Sequence, residues 1–272
     1  MALTFTKGAN KAAAPKSEGA APKEGSSSGG MSWLKTGKAA HEAFHHETAK
    51  AEMAKAEAGK LFRFFVPENE ERQITFLDGE LDSDGMLDIP MYYEHVLKVN
   101  GTMQNFVCLA LNGGAEAEPC PVCERNDKDG KARLVGVLTI IDHTPYKIKG
   151  GQNAGKIIQN TRKLVIATRT SVQALTKIAV KRGGLTGCTF DVSRNGDTSP
   201  GIGNQFDFVV KYDSLEALAH KYDMKLEEVQ PADYATEITR HSAEEMIALG
   251  AGKAITGPGY STASSSSLKD NL

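Results

Sequence analysis

Four residues constrain this 272-residue chain more than any others: His95, Cys108, Cys120 and Cys123, in the spacing H-x12-C-x11-C-x2-C. Two thiolates two residues apart on a tight turn can take adjacent corners of a metal tetrahedron, and Pro119 and Pro121 pre-set the backbone for such a turn. Asn100-Gly101, a dipeptide favoured in tight hairpins, sits between the predicted strands Tyr93–Val99 and Asn105–Leu111. That hairpin would bring His95 and Cys108 together at its open end. One nitrogen and three sulfur ligands with no open position describe a structural site, and the expected cofactor is one Zn2+. Two other readings of the cysteines stand beside it. Cys120 and Cys123 could form a redox pair, although no strand-helix-strand unit follows to carry thioredoxin-like chemistry. Cys108 could be a small buried hydrophobe, the reading adopted for Cys188.

Around this pattern the chain reads as mainly β with inserted helices. From Leu61 onward β-branched and aromatic runs alternate with turn residues. Strands are predicted over Leu61–Val66, Gln73–Leu77, Leu134–Asp142, Arg162–Ala167, Cys188–Ser193 and Gln205–Val210, besides the two of the hairpin. Thr170–Lys181 carries Val172, Leu175, Ile178 and Ala179 at helical spacing and stops at Gly183-Gly184. A short helix among many short strands suggests an OB-fold-like barrel over residues 61–212. A small zinc-binding subdomain would occupy about 92–127. Residues 1–37 are too poor in apolar side chains to order and read as a disordered, weakly basic arm. An Ala-rich helix is expected over 38–60, an acidic helical segment over 213–249 with Ser214 as a cap, and a flexible tail over 250–272. Apolar runs such as Leu134–Ile141 are far shorter than the ~20 residues of a membrane helix, and the N-terminus lacks an apolar secretory core. An intracellular protein with no membrane partner is the expectation.

The formal net charge is only -2, but it is strongly blocked. Residues 61–127 hold 4 basic against 13 acidic side chains, whereas residues 128–211 hold 14 against 5. A +9 segment of this kind can form a local electrostatic footprint for nucleic acid. Aromatic residues interleaved with the cations suit single strands, whose exposed bases stack while Lys and Arg follow the phosphates. The candidate contacts are Tyr92, Tyr93, Tyr146, Lys147, Lys149, Lys156, Arg162, Lys163, Arg169 and Arg194. The remaining Phe residues, Phe62 and Phe65 among them, read as core positions of alternating strands. His143 reads as a turn residue or a nucleic-acid contact. Asp78, Glu80, Asp82, Asp84 and Asp88 read as an acidic loop, since Asp82-Ser-Asp84-Gly lacks the other positions of a calcium loop. No catalytic constellation emerges, so an enzyme is not expected; a metal-dependent nuclease is the enzyme alternative.

Several elements occur in a consistent order: Arg63-Phe64, Ile74-Thr-Phe-Leu-Asp-Gly79, the His95/Cys108/Cys120/Cys123 set, Leu138-Thr-Ile-Ile-Asp142, Lys181-Arg-Gly-Gly-Leu-Thr-Gly187, Phe190–Pro200 and Phe206-Asp-Phe208. On these, residues 61–212 resemble the zinc-containing single-stranded-DNA-binding (helix-destabilising) proteins of tailed bacteriophages. The resemblance implies sequence-tolerant binding of single-stranded DNA during phage replication, recombination and repair, in the cytoplasm of an infected bacterial host. It also implies self-association on DNA through the N-terminal segment, which here lacks a clearly basic motif. Such proteins recruit replication and recombination partners through an acidic tail; here Gly257–Leu272 is nearly neutral, and the acidic 213–249 region takes that place. The alternative from another class is a zinc-ribbon adaptor that binds replication or transcription proteins without DNA affinity of its own.

Overall fold

A computed structural model describes residues 34–99, 101–125, 130–150 and 153–252. Residues 1–33 of the arm predicted over 1–37, residues 253–272 of the tail predicted over 250–272, and residues 100, 126–129 and 151–152 lie outside the described residues; the start of that tail is not flexible, since Ala251 is buried in a core. Two compact units are distinguished, residues 1–41 and 42–272. The described part of the first, residues 34–41, contains the beginning of helix α1 (Lys38–Glu57).

The second unit is built on antiparallel pairing, in agreement with the mainly β expectation. In chain order its strands are β1 (Glu71–Phe76), β2 (Met91–Val99), β3 (Thr102–Val107), β4 (Arg133–Asp142), β5 (Tyr146–Lys147), β6 (Ile157–Ile158), β7 (Thr161–Thr168), β8 (Cys188–Ser193) and β9 (Gln205–Lys211). Helices α2 (Leu109–Asn112) and α3 (Pro121–Arg125) follow β3, and α4 (Arg169–Arg182) follows β7. Helices α5 (Leu215–Tyr222), α6 (Tyr234–Glu237) and α7 (Ala243–Ala248) close the chain.

Strand β4 is the spine. Its one edge pairs with β7 from Val135↔Thr168 to Asp142↔Thr161. Its other edge takes two partners end to end, β1 through Ile74↔Asp142 to Phe76↔Ile140 and β2 through Met91↔Gly136 to Glu94↔Arg133. β1 and β2 are therefore two halves of one line of pairing, and residues 78–89 loop out between them. The main core lies on the α4 side of the sheet, where Phe76, Ile140, Leu175 and Phe190 are fully buried. Phe190 meets Phe76 and Phe208 edge to face at 5.9 and 5.8 Å, the arrangement the ring quadrupoles favour. Gly136 admits α4: a Cβ there would stand 2.6 Å from Ile89 Cδ1 and 3.1 Å from Val172 Cγ2. As the sequence predicts, α4 ends at Gly183, in the left-handed conformation at φ 66.

Residues 61–66 are not the predicted strand. They form an extended strap with one parallel bridge, Arg63↔Leu164. Phe64 N donates to Leu164 O, Leu164 N to Phe62 O, and Val66 N to Gly201 O, so the strap spans the gap between β7 and the turn joining β8 to β9. The strap thus ties β7 to the β8–β9 turn, without a continuous ladder closing the sheet among the described residues. A buried carboxylate holds the strap down: Glu94 accepts from Arg63 Nη1 at 2.8 Å and from Arg133 Nη2 at 2.7 Å. With its strap side chains obeying this geometry rather than strict alternation, Phe64 and Val66 are buried, whereas Phe62 is 80% and Phe65 57% exposed.

The segment predicted as Asn105–Leu111 is a strand only to Val107. The chain turns at Cys108, and Asn112 stops the ladder by bonding both backbone groups of Tyr93, each at 2.7 Å. The acidic region is a series of short helices, not one long one. Ser214 caps α5, accepting from Ala217 N. Leu218 and Val229 bury against Leu77 and Ile141. Asp78, predicted in an acidic loop, is instead an anchor: its carboxylate accepts the Tyr234 hydroxyl proton and the Thr139 N–H. Cys188 is a core residue, as expected.

Burial pushes the Asp78 carboxyl up to about 6, against the opposing pull of its bonds from Tyr234 and Thr139. The folded state therefore holds this proton more tightly than the unfolded chain. The resulting stabilisation is complete below the ordinary aspartate range and lost as pH rises through 6. Urea unfolding of the wild type and Asp78→Asn at pH 4 and pH 7 tests this. The wild type should lose about 2–3 kcal/mol relative to the variant across that interval; parallel profiles would contradict it.

Candidate metal centre and nucleic-acid interface

The four residues singled out by spacing meet in space. One ligand atom from each of His95, Cys108, Cys120 and Cys123 lies within 4.8 Å of every other. His95 projects from β2, and the register places Phe106 opposite it, so Cys108 arrives at the same end two residues later. Cys120 precedes α3 and Cys123 lies within it; Pro121 fills its first position, where a missing N–H costs nothing.

Three of the six separations lie close to tetrahedral edges. Cys108 Sγ and Cys123 Sγ are 3.6 Å apart, and His95 Nε2 lies 3.4 Å from Cys120 Sγ and 3.6 Å from Cys123 Sγ. An ion bonded to sulfur and imidazole nitrogen at ~2.3 and ~2.0 Å needs edges of roughly 3.5–3.8 Å. The other ring nitrogen, Nδ1, donates to Gly130 O at 2.6 Å, which fixes the tautomer that leaves Nε2 available as a ligand. Electrostatics point the same way. Burial pushes the Cys123 thiol up to about 12, reinforced by the neighbouring sulfurs. At Cys120 burial is outweighed by the His95 bond and by backbone N–H groups of Cys123, Leu109 and Val122, which bring it down to about 6. Three thiolates this close cannot all carry charge without a cation among them. The cluster can hold one metal ion.

The centre also organises the second core. Cys108, Cys120 and Val122 are buried with Leu97, Phe106, Met246, Leu249 and Ala251, so the C-terminal segment seats against the ligand loop. Arg125 Nη1 donates to Ala251 O at 3.4 Å, and the His241 ring lies edge-on to Phe106 at 6.0 Å. Nothing in the sequence reading linked residues 241–251 to the cysteines; the only signal was the apolar spacing of Met246 and Leu249.

The ten candidate DNA contacts fall into three groups. Tyr146, Lys147, Lys149 and Lys156 are all exposed on the β5–β6 hairpin, a finger continuing the β4–β7 pair beyond Asp142. Residues 143–160 contain three Lys and no Asp or Glu. Arg169 is exposed at the start of α4. The second group is engaged within the protein: Lys163 Nζ pairs with Asp142 at 2.7 Å, Arg162 Nη1 donates to Gln230 O at 3.1 Å, and Arg194 donates to Asp197 O at 3.1 Å. Tyr92 and Tyr93 form the third, on opposite faces of β2. Tyr93 packs in the metal-side core, whereas Tyr92 lines a cleft of about 260 Å³ with Phe62, Arg63, Met103, Gln104 and Leu164.

Sequence reasoning missed Phe62 and Phe65. Phe62 stands at that cleft, and Phe65 lies under the Arg194 guanidinium, 5.2 Å from its ring centre. His143 is neither a turn residue nor a contact. It is buried, bonded to Thr75 Oγ1 at 2.7 Å and Asn160 Oδ1 at 2.8 Å, and stacked on Tyr222 at 4.0 Å. Among the described residues no helix is long and apolar enough to cross a membrane.

Removing the ion should unfasten the ligand loop and the C-terminal segment together, because both rest on one core. Hydrogen exchange of metal-loaded and chelator-treated protein should show faster exchange over 108–125 and 243–251, with β8 unchanged. Equal exchange in the two states would contradict a structural role. Compared with known families and with characterised proteins, the chain matches none of them at a significant level.

Proposed function

We propose that this protein binds single-stranded DNA without sequence preference and holds one structural zinc ion in the His95/Cys108/Cys120/Cys123 centre. The observation that carries the reading is the β5–β6 finger: three exposed Lys, an exposed Tyr146 and an exposed Ile157, with no acidic residue in its length. An exposed aromatic beside cations has little to gain from water alone. It suits a strand whose bases stack while its phosphates meet Lys. Phe62 and Tyr92 at the cleft offer a second stacking site. The antiparallel sheet with its strap is consistent with an elaborated OB-fold-like barrel. Three sulfurs and one imidazole within 4.8 Å of one another favour zinc over harder cations that prefer oxygen.

Zinc, when bound, supplies charge neutralisation and a rigid crosslink between the β2–β3 hairpin and the ligand loop. The chain's own residues then do the binding, and a protein that takes only the open form shifts a duplex toward separated strands by mass action. Replication, recombination and repair of phage DNA in a bacterial host is the setting in which such a binder works. The docked acidic 213–249 region would meet protein partners there, and copies would line up along one strand.

Titration of a labelled oligo-dT with wild type, Lys147→Glu/Lys149→Glu and Phe62→Ala tests this. The double charge reversal should weaken binding at least tenfold and reduce the slope of log K against log salt by ~0.7 per lost phosphate contact. Phe62→Ala should cost about 1–3 kcal/mol with the slope unchanged. Variants that fold and bind like wild type would move the binding face elsewhere.

A further inference from the structure

The metal centre is unevenly covered. His95, Cys108 and Cys120 are buried, whereas Cys123 on α3 is exposed, so among the four ligands it is the sulfur that a solute can reach. Behind it, 3.6 Å away and fully buried, lies Cys108 Sγ, brought in from the end of β3. Cys120 is held differently: its sulfur is buried and lies 3.4 Å from His95 Nε2.

The geometry points to a redox site within the metal centre, with hydroperoxides as its substrate class, Cys123 as the sulfur attacked and Cys108 as the resolving thiol. This rests on the reading of the cluster as metal-loaded. The Cys123 thiolate attacks the terminal peroxide oxygen; an S–O bond forms, the O–O bond breaks, and the departing oxygen takes a proton from solvent. Cys123 is now a sulfenic acid, oxidised by two electrons. The Cys108 thiolate then attacks the Cys123 sulfur; the S–S bond forms, the S–O bond breaks, and hydroxide leaves to be protonated. With hydrogen peroxide, two thiolates, one peroxide and two protons become one disulfide and two waters. Two of the four ligands are lost, and the ion leaves a site reduced to His95 and Cys120. The second sulfur needs no access to solvent, because its attack is internal to the protein. Helix α3 then loses its anchor, and with it the seat of Met246 and Leu249.

Full-length protein of measured metal content, treated with hydrogen peroxide beside a colorimetric chelator, tests the assignment. The expected result is release of the bound ion, loss of two hydrogens from the protein mass, a Cys108–Cys123 crosslinked peptide, and recovery on adding dithiothreitol and the metal. A metal-loaded protein that resists peroxide overturns the redox assignment alone. Release with a Cys120–Cys123 disulfide, or with sulfinic acid at Cys123 and no disulfide, does the same. Protein that purifies without metal and takes up none overturns the metal reading itself, and the redox site with it.

Discussion

Backbone hydrogen bonding along β4 uses both of its edges: β7 pairs with one side from Val135 to Asp142, and β1 and β2 share the other. Because β1 and β2 are collinear, the chain leaves β4 at opposite ends. Past Arg133 the β2–β3 hairpin extends toward the metal centre, and past Asp142 the β4–β7 pair extends into the basic finger. A ten-residue strand separates these ends by ~30 Å. The centre therefore cannot position Tyr146 or Lys147 directly. It acts on the near end of the sheet, where Tyr92 and Phe62 line the cleft, while the finger is fixed by the spine.

The four candidate ligands sit at an end of the sheet where the apolar cluster is smaller than the main core. The main core is large and continuous under α4, but the hairpin and its ligand loop share a small cluster that includes two of the ligand cysteines themselves. Four groups from β2, the end of β3 and α3 converge on one point, with burial and mutual repulsion of the sulfurs disfavouring the uncompensated cluster. A bound cation reverses that balance. The same loop carries the core on which Met246 and Leu249 pack, while Leu218 on Leu77 and Ile141 and Tyr234 on Asp78 dock the rest of the acidic region elsewhere on the sheet.

Much of this was legible in the sequence for physical reasons that can be named. The ligand spacing was informative because CxxC on a Pro-flanked turn and a hairpin bearing His95 and Cys108 leave few other geometries. β8 matches its predicted span, and α4 extends one residue beyond its predicted span at each end, because period-two and 3.6 patterns are clean there and Gly183 stops the helix. The strap at 61–66 was not legible. Its alternating aromatics mimic a strand, yet its geometry is set by contacts with Leu164 and Gly201, more than a hundred residues away. Long-range partnering also decided which charges face solvent: Lys163 is neutralised by Asp142 and Asp78 is buried under Tyr234, pairings that local composition does not encode.

A preference for the open strand is the property on which the proposed function rests. Wild-type protein of known metal content should be titrated into a labelled oligo-dT and into a matched duplex, each at two salt concentrations. Tight binding to the single strand, weak binding to the duplex, and an affinity for the strand that falls as salt rises are the expected result. Equal affinity for both, or affinity for neither, would contradict it, and the second result would transfer the metal-centred fold to an adaptor that binds only protein.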